Sequence, residues 1–359
     1  MRSRTAIILA ALAVVVLAAA WYFARPPASV SESAAVAPGT LVFPGLAAKL
    51  GTAARVEITS KGQTLVIARI GDPRVGEPGV WGLADRGDYP VQQDRLRELL
   101  TGLTELRITE PRTADPALLE RLGVGDPAST TSTADLVKLL DDKGGVLAQL
   151  IVGHRRVRTQ GNVPESIYVR RPGENQSWLA EGRLPVDADP QLWLDRDIAN
   201  IDNKQVASVV VHRGDAVLEF GRDGGKGTLK APADHPKLDD YALEDMFRSL
   251  ETLTLTDVKP VADEPGEKVG TATITLIDGT VVDVTVFAVA KATGAPDIWT
   301  QYAVRGDSEA AQKLAARVKG WTYQVGAWKE KAFVPTLDDL KAEEKPAAAP
   351  PAGDEKPAD

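Results

Sequence analysis

The feature that most constrains the fold is an ordered set of segments that occurs twice along the chain. The stretch Ala54–Ile58, followed by the turn Lys61-Gly62, is similar to Ala207–Val211 followed by Arg213-Gly214. Alternation of apolar and polar residues is typical of a half-buried strand, and a glycine after it is typical of a tight turn. The sequence therefore predicts a β-hairpin near the start of each half of the chain.

A predicted amphipathic helix follows each hairpin. It covers Val91–Leu106 in the first half and Asp239–Leu253 in the second half. In both stretches large apolar residues recur at three- and four-residue spacing, which places them on one face of a helix. Each helix is thus expected to pack against a sheet of its own half.

More strands follow the two helices in the same order. The predicted strands are Leu136–Leu140, Val146–Val152 and Ser166–Arg170 in the first half, and Ala272–Ile277, Val281–Phe287 and Thr300–Arg305 in the second half. Because the order of elements is the same in both halves, the sequence predicts two tandem α+β modules, residues 49–200 and 201–336. Each module is expected to be an antiparallel sheet with one amphipathic helix packed on it.

An apolar stretch of 19 residues without a charge, Thr5–Phe23, precedes the predicted modules. As a helix it would span about 28 Å, close to the hydrocarbon core of a bilayer at roughly 30 Å. Arg2 and Arg4 precede it, which by the positive-inside rule places the N-terminus in the cytoplasm. We therefore predict a membrane anchor over residues 1–26. The alternative is a cleaved signal peptide, because Ala18–Ala20 offers small residues for cleavage.

Two further segments have the composition of chain that does not fold. Residues 27–48 begin with a stretch rich in Pro, Ser and Ala and are predicted to be a linker. Residues 337–359 end in a stretch of Ala, Pro and charged residues, which offers little apolar surface for a core. We predict that this C-terminal segment is a disordered tail.

Composition argues against several classes of function. The chain has 50 acidic and 42 basic side chains, and a net charge of -8 disfavours a nucleic-acid-binding protein. It has no cysteine, which excludes disulfides and thiolate metal sites, and its three histidines are far apart in sequence. We therefore predict no metal, no cofactor and no catalytic residue.

One basic cluster is a candidate for binding an anion or an acidic partner. If strands Val146–Val152 and Ile167–Arg170 pair, its side chains share one end of a sheet, where guanidinium groups can bind a carboxylate or a phosphate. The alternative is a solvated basic face that protects a sheet edge. The cluster comprises His154, Arg155, Arg156, Arg158, Arg170 and Arg171.

A set of short motifs, in this order, resembles the bacterial domain-of-unknown-function family 4340. The motifs are Trp81, the helix end Leu103–Arg112, Leu122–Pro127, Val152-Gly153, Tyr168–Arg170 and Leu194–Asp197. The resemblance implies a single-pass protein of the bacterial inner membrane whose folded body lies in the periplasm. Some members are encoded beside gliding-motility-type ABC transporter components, which implies an accessory role next to ABC transporter subunits. The family supplies no catalytic residue to carry over.

Three functions are therefore open at the level of sequence. The first is a non-enzymatic, membrane-anchored accessory or scaffold protein that contacts a partner in an ABC transporter complex. The second is a periplasmic module that binds a small anionic or glycan ligand near Arg155, Arg156 and Arg170. The third is a hydrolase with two opposed carboxylates, which sequence alone does not test because carboxylate separation is a three-dimensional quantity.

Overall fold

The computed structural model describes residues 37–71, 79–156, 165–261 and 265–342. In this part of the chain, no helix has both the length and the apolar character that a membrane span requires. The predicted anchor, Thr5–Phe23, and most of the predicted tail lie outside the described residues.

The described residues form twenty strands and six α-helices, numbered in chain order. The strands are β1 Thr40–Leu41, β2 Ala53–Ser60, β3 Gln63–Ile70, β4 Val80–Leu83, β5 Tyr89–Pro90, β6 Arg107–Pro111, β7 Asp135–Asp141, β8 Val146–Arg156, β9 Ser166–Arg170, β10 Ser177–Glu181, β11 Asp197–Ala199, β12 Val206–Arg213, β13 Ala216–Asp223, β14 Lys226–Ala231, β15 Leu253–Thr254, β16 Asp257–Pro260, β17 Glu267–Leu276, β18 Val281–Val289, β19 Asp297–Arg305 and β20 Trp321–Val325. The helices are α1 Leu46–Lys49, α2 Gln93–Glu105, α3 Pro116–Leu119, α4 Asp240–Phe247, α5 Glu309–Val318 and α6 Lys329–Phe333.

Three sheets contain all the strands of the described residues. The largest has the order β1-β6-β10-β9-β8-β7-β2-β3-β4-β5, and the second has the order β14-β13-β12-β17-β18-β19-β20-β16. A small third sheet pairs β11 with β15. Pairing is antiparallel throughout the described registers, as in β17 with β18 and β18 with β19. The predicted class is confirmed: the protein is a mixed α+β protein with antiparallel sheets and few helices.

The two predicted amphipathic helices are present, and the second is shorter than predicted. Helix α2 lies within the predicted range, whereas α4 ends at Phe247 instead of Leu253. Leu250 and Leu253 are nevertheless fully buried. Leu250 lies in the turn after the helix, where Thr252 has a positive φ of 44°, and Leu253 begins β15. Buried residues beyond the helix therefore continue its three- and four-residue spacing, and the predicted end of the helix was wrong.

The chain divides into two compact units, each assembled from separate segments. The first unit contains residues 37–53, 58–64 and 98–186 among those described. Its core is largely aliphatic and includes Ile58, Leu99, Leu103 and Ile108, all of them buried. The hydrophobic face of α2 thus contributes to this core, as the spacing of its leucines predicts.

The second unit contains residues 54–57, 65–97 and 187–342 among those described. Aromatic side chains fill part of its core. The Tyr89 ring lies edge-on to Trp321 with centroids 5.0 Å apart and is 6.1 Å from Tyr323. An ion pair between Arg86 and Asp257, at 2.6 Å, adds a polar contact within the unit. The predicted module boundary near residue 200 stays a prediction.

Candidate functional site

The register of β8 and β9 separates the members of the predicted basic cluster. Arg155 lies opposite Ile167 and Arg156 opposite Ser166, whereas Arg170 lies opposite Ile151. Along a strand, the four residue steps from Ser166 to Arg170 span about 13 Å. The structure therefore does not bring Arg170 to the end of the sheet that carries Arg155 and Arg156.

Arg170 is used inside the first unit. Its guanidinium donates hydrogen bonds to the backbone oxygens of Val124 (2.7 Å), Gly125 (2.8 Å) and Glu174 (2.9 Å). Burial of the group lowers the pKa of Arg170 from its usual value. Arg171 similarly donates to the backbone oxygen of Val42 at 3.4 Å. Both side chains therefore form hydrogen bonds with backbone carbonyl groups of the first unit.

The remaining described members of the cluster are more accessible. The side chains of Arg155 and Arg156 are 52% and 42% exposed. Each forms a long ion pair, Arg155 with Glu165 at 3.9 Å and Arg156 with Glu110 at 4.0 Å. The ring of His154 is 3.0 Å from the hydroxyl of Thr133. Arg158 lies outside the described residues. An anion-binding role for this part of the cluster stays a prediction.

Three of the motifs that carry the family resemblance meet in one place. A Cβ on Gly153 would lie only 2.3 Å from the carbonyl oxygen of Leu122, so β8 and the loop 122–127 approach each other closely. Arg170 binds the same loop, and Tyr168 packs against the cluster of buried side chains Leu119, Val124, Ala134 and Ile151. These motif residues therefore serve packing and loop placement in the first unit.

Helix α5 forms part of the lining of a groove in the second unit. No element was predicted there from the sequence. The helix begins after Ser308, whose hydroxyl accepts a hydrogen bond from the Ala311 N–H at 3.1 Å. Ala311 and Val318 are the buried residues of this helix. The groove is lined by Ala310, Lys313, Leu314 and Arg317, whose spacing puts them on one face of α5. That spacing after a capping serine is the signal that sequence analysis missed.

Two other segments close the groove. The stretch 198–202, which includes most of β11, forms a second part of the lining. The β17–β18 turn forms a third part, and its Ile277 N–H donates to the carbonyl oxygen of Gln205, just before β12, at 2.8 Å. Arg317, in the last turn of α5, forms an ion pair with Asp195. The groove has a volume of about 530 Å³.

The groove has an apolar floor and a charged rim. Ile198, Leu276 and Ala311 on the floor are buried, while Ile277 beside it is 71% exposed. Asp278 accepts a hydrogen bond from the Thr280 N–H at 2.9 Å, which lowers the pKa of its carboxyl. Apolar side chains with a few convergent polar groups are typical of a binding site.

The described residues contain no group of three or more histidine, aspartate or glutamate side chains arranged to hold a metal ion. In comparisons with known proteins, the family model described as "Domain of unknown function (DUF4340)" matches residues 81–272, more than half of the chain. Neither a curated protein nor a solved structure matches the chain.

Proposed function

Since the chain belongs to the DUF4340 family, we propose that it is a non-enzymatic, single-pass membrane-anchored accessory protein. Its folded body, on this proposal, lies outside the cytoplasm and docks onto a subunit of an ABC transporter. The anchor is the apolar stretch Thr5–Phe23, which is long enough to span a bilayer as a helix.

We further propose that the body arose as two tandem α+β modules. The order of strands in the two large sheets supports this. Read from β4 to β6, the first sheet runs β4-β3-β2-β7-β8-β9-β10-β6, and the second runs β14-β13-β12-β17-β18-β19-β20-β16. Strands at the same position in the two series also follow one another in the same order along the chain. Helix α2 lies between β5 and β6, and α4 lies at the corresponding point between β14 and β15.

The groove beside α5 is the observation that carries the docking proposal. In the first series β9 and β10 are joined by residues 171–176, whereas α5 is inserted between the corresponding β19 and β20. An element present in only one of two related modules is not required by their common fold. The lining of the groove combines apolar side chains with a few polar groups, which is typical of a binding site, and Ile277 is exposed beside it.

The proposal is tested by affinity purification of the full-length protein from detergent-solubilised membranes, with mass spectrometry of the recovered proteins. Ala310→Trp fills the groove, and Ala316→Trp places the same side chain at an exposed position of α5 outside the lining. We expect the unaltered protein and A316W to recover ABC transporter subunits, and A310W to recover at least tenfold less. A copy without residues 1–26 should also recover less.

Two results would contradict the proposal. One is clean recovery of the protein alone from membranes. The other is equal recovery of transporter subunits by A310W and A316W, which would move the contact away from the groove.

A further inference from the structure

The charge of the α5 groove is uneven. Asp202 and Asp278 lie on its lining near the β17–β18 turn, and each carboxylate accepts a backbone hydrogen bond at 2.9 Å, Asp202 from Lys204 and Asp278 from Thr280. In the described part of the chain no cation forms an ion pair with either. Their hydrogen bonds orient the carboxylates but leave the negative charge uncompensated.

The cations of the groove already have partners. Arg317 forms its ion pair with Asp195, and the Lys313 ammonium lies 2.6 Å from Glu309 one turn earlier on α5. Together with Glu309 and Asp195, the groove therefore has four carboxylates and two cations, and the two carboxylates without an ion pair are Asp202 and Asp278. A complementary occupant therefore carries positive charge near Asp202 and Asp278.

The part of the lining that includes β11 is an edge strand, because β11 pairs only with β15 in the described residues. Asp197 and Ala199 pair with Thr254 and Leu253 of β15, and the Ile201 N–H donates to the Leu250 carbonyl oxygen at 3.0 Å. Backbone groups of successive residues point to opposite sides of a strand, so these pairings leave the other side of β11, at Ile198, without a strand partner in the described residues. Residues 198–202 also line the groove. An edge strand along a groove favours a ligand in extended conformation, which adds backbone hydrogen bonds.

We propose that the α5 groove binds an extended segment of a partner protein in which an aliphatic side chain is adjacent to a lysine or arginine. This inference rests on the proposed docking function and specifies the chemistry of the partner. The aliphatic side chain packs on the floor beside Leu276 and against the exposed Ile277. The cation lies near Asp202 and Asp278, and the volume of about 530 Å³ limits the bound part to a short segment.

Selection from a phage library of random heptapeptides on the purified full-length protein tests this chemistry. The key variant is Asp202→Asn with Asp278→Asn, because asparagine keeps the cap and turn hydrogen bonds and removes the charge. A310W blocks the groove, and A316W is its matched control. Circular dichroism melts check that every variant keeps the fold of the unaltered protein.

We expect the unaltered protein and A316W to select peptides with an aliphatic residue next to a basic residue. A310W should lose this enrichment, and the double asparagine variant should bind the selected peptides at least tenfold more weakly while retaining the aliphatic preference. Selection of acidic peptides, no selection above A310W, or an unchanged basic preference in the double variant would each overturn the proposal.

The two proposals fail in different ways. If A310W loses the transporter subunits but the library yields no aliphatic–basic motif, docking stands and the peptide chemistry is wrong. If the motif is selected but A310W recovers the subunits normally, the groove binds such peptides and the proposed docking function is wrong.

Discussion

Lys329 is a buried charge in the second unit. Only 2% of its surface is accessible, its ammonium donates to the Ser249 backbone oxygen after α4, and it lies 4.4 Å from the centre of the Trp328 ring. Burial lowers the pKa of Lys329 from 10.5 to about 8, against the opposing influence of Glu251 and Asp245. The hydrogen bond therefore offsets only part of the cost of burying the charge.

This pKa predicts how stability depends on pH. Between pH 8 and pH 10.5 the unfolded chain keeps the Lys329 proton and the folded protein has lost it. The free energy of unfolding should therefore rise with pH in this window, with a contribution approaching about 1.4 kcal/mol per unit. Below pH 8 both states are protonated, so this contribution becomes flat. Urea unfolding at pH 7, 8, 9 and 10 measures it.

Lys329→Met is the control for the pH experiment, because methionine fills similar space without a charge. We expect K329M to remove this part of the slope and to be more stable than the unaltered protein at pH 7. An identical slope in both proteins would show that another group titrates in the window.

At the scale of elements, Arg170 joins strand β9 to the loop 122–127. Its three backbone acceptors are carbonyl groups that have no other role in a strand or helix ladder at that point. The sequence placed Arg170 in a basic cluster that could bind an anion or an acidic partner. The sequence could not identify the acceptors in the loop, Val124 and Gly125, because they lie 46 and 45 residues from Arg170.

Arg170→Ala should destabilise the first unit by about 2–3 kcal/mol, because the Val124 and Gly125 carbonyls lose a charged donor. Arg155→Ala should cost under about 0.5 kcal/mol, since its ion pair is long and exposed. Denaturant unfolding measures both values, and hydrogen exchange should accelerate at residues 122–128 in R170A only. Equal effects of the two substitutions would contradict the assigned role of Arg170.

The same scale shows why helices were harder to predict than strands. Spacing of leucines correctly located α2. The predicted end of α4 was too late because Leu250, in the turn after the helix, and Leu253, at the start of β15, are also buried. Helix α5 was missed because its buried face consists largely of alanine and valine, which give a weak apolar signal. Packing on a partner element, and not the spacing alone, decided where these helices begin and end.

At the scale of the whole molecule, residues 65–97 belong to the compact unit that holds the C-terminal half. Tyr89 is buried in that unit, its hydroxyl donates to the Asp195 backbone oxygen at 3.1 Å, and its ring contacts Trp321. The core of the second unit is thus completed by a segment that is distant in sequence.

A fragment comprising residues 187–342 should therefore fail to form a fixed core. Without Tyr89, the rings of Trp321 and Tyr323 lose their edge-on partner, and Asp257 loses its ion pair with Arg86. We expect a weak near-ultraviolet circular dichroism signal and a broad thermal transition, and partial recovery on adding a peptide of residues 79–97. A cooperative melt of the fragment alone, equal to that of the full chain, would contradict this prediction.

The sequence by itself determined the two hairpins, the six strands predicted after the helices, the α+β class and the family. These follow from the spacing and order of residues close together in the chain, where alternation and turn chemistry act locally. Only the tertiary structure decided which arginines bind backbone carbonyl groups and that α5 lines a groove. It also decided that Tyr89 packs in a core formed mainly by residues far away in sequence. Each of these depends on contacts between residues far apart in the chain, such as Arg86 with Asp257, 171 positions away. Such pairings are selected by the packing of complete sheets, and no local pattern records them.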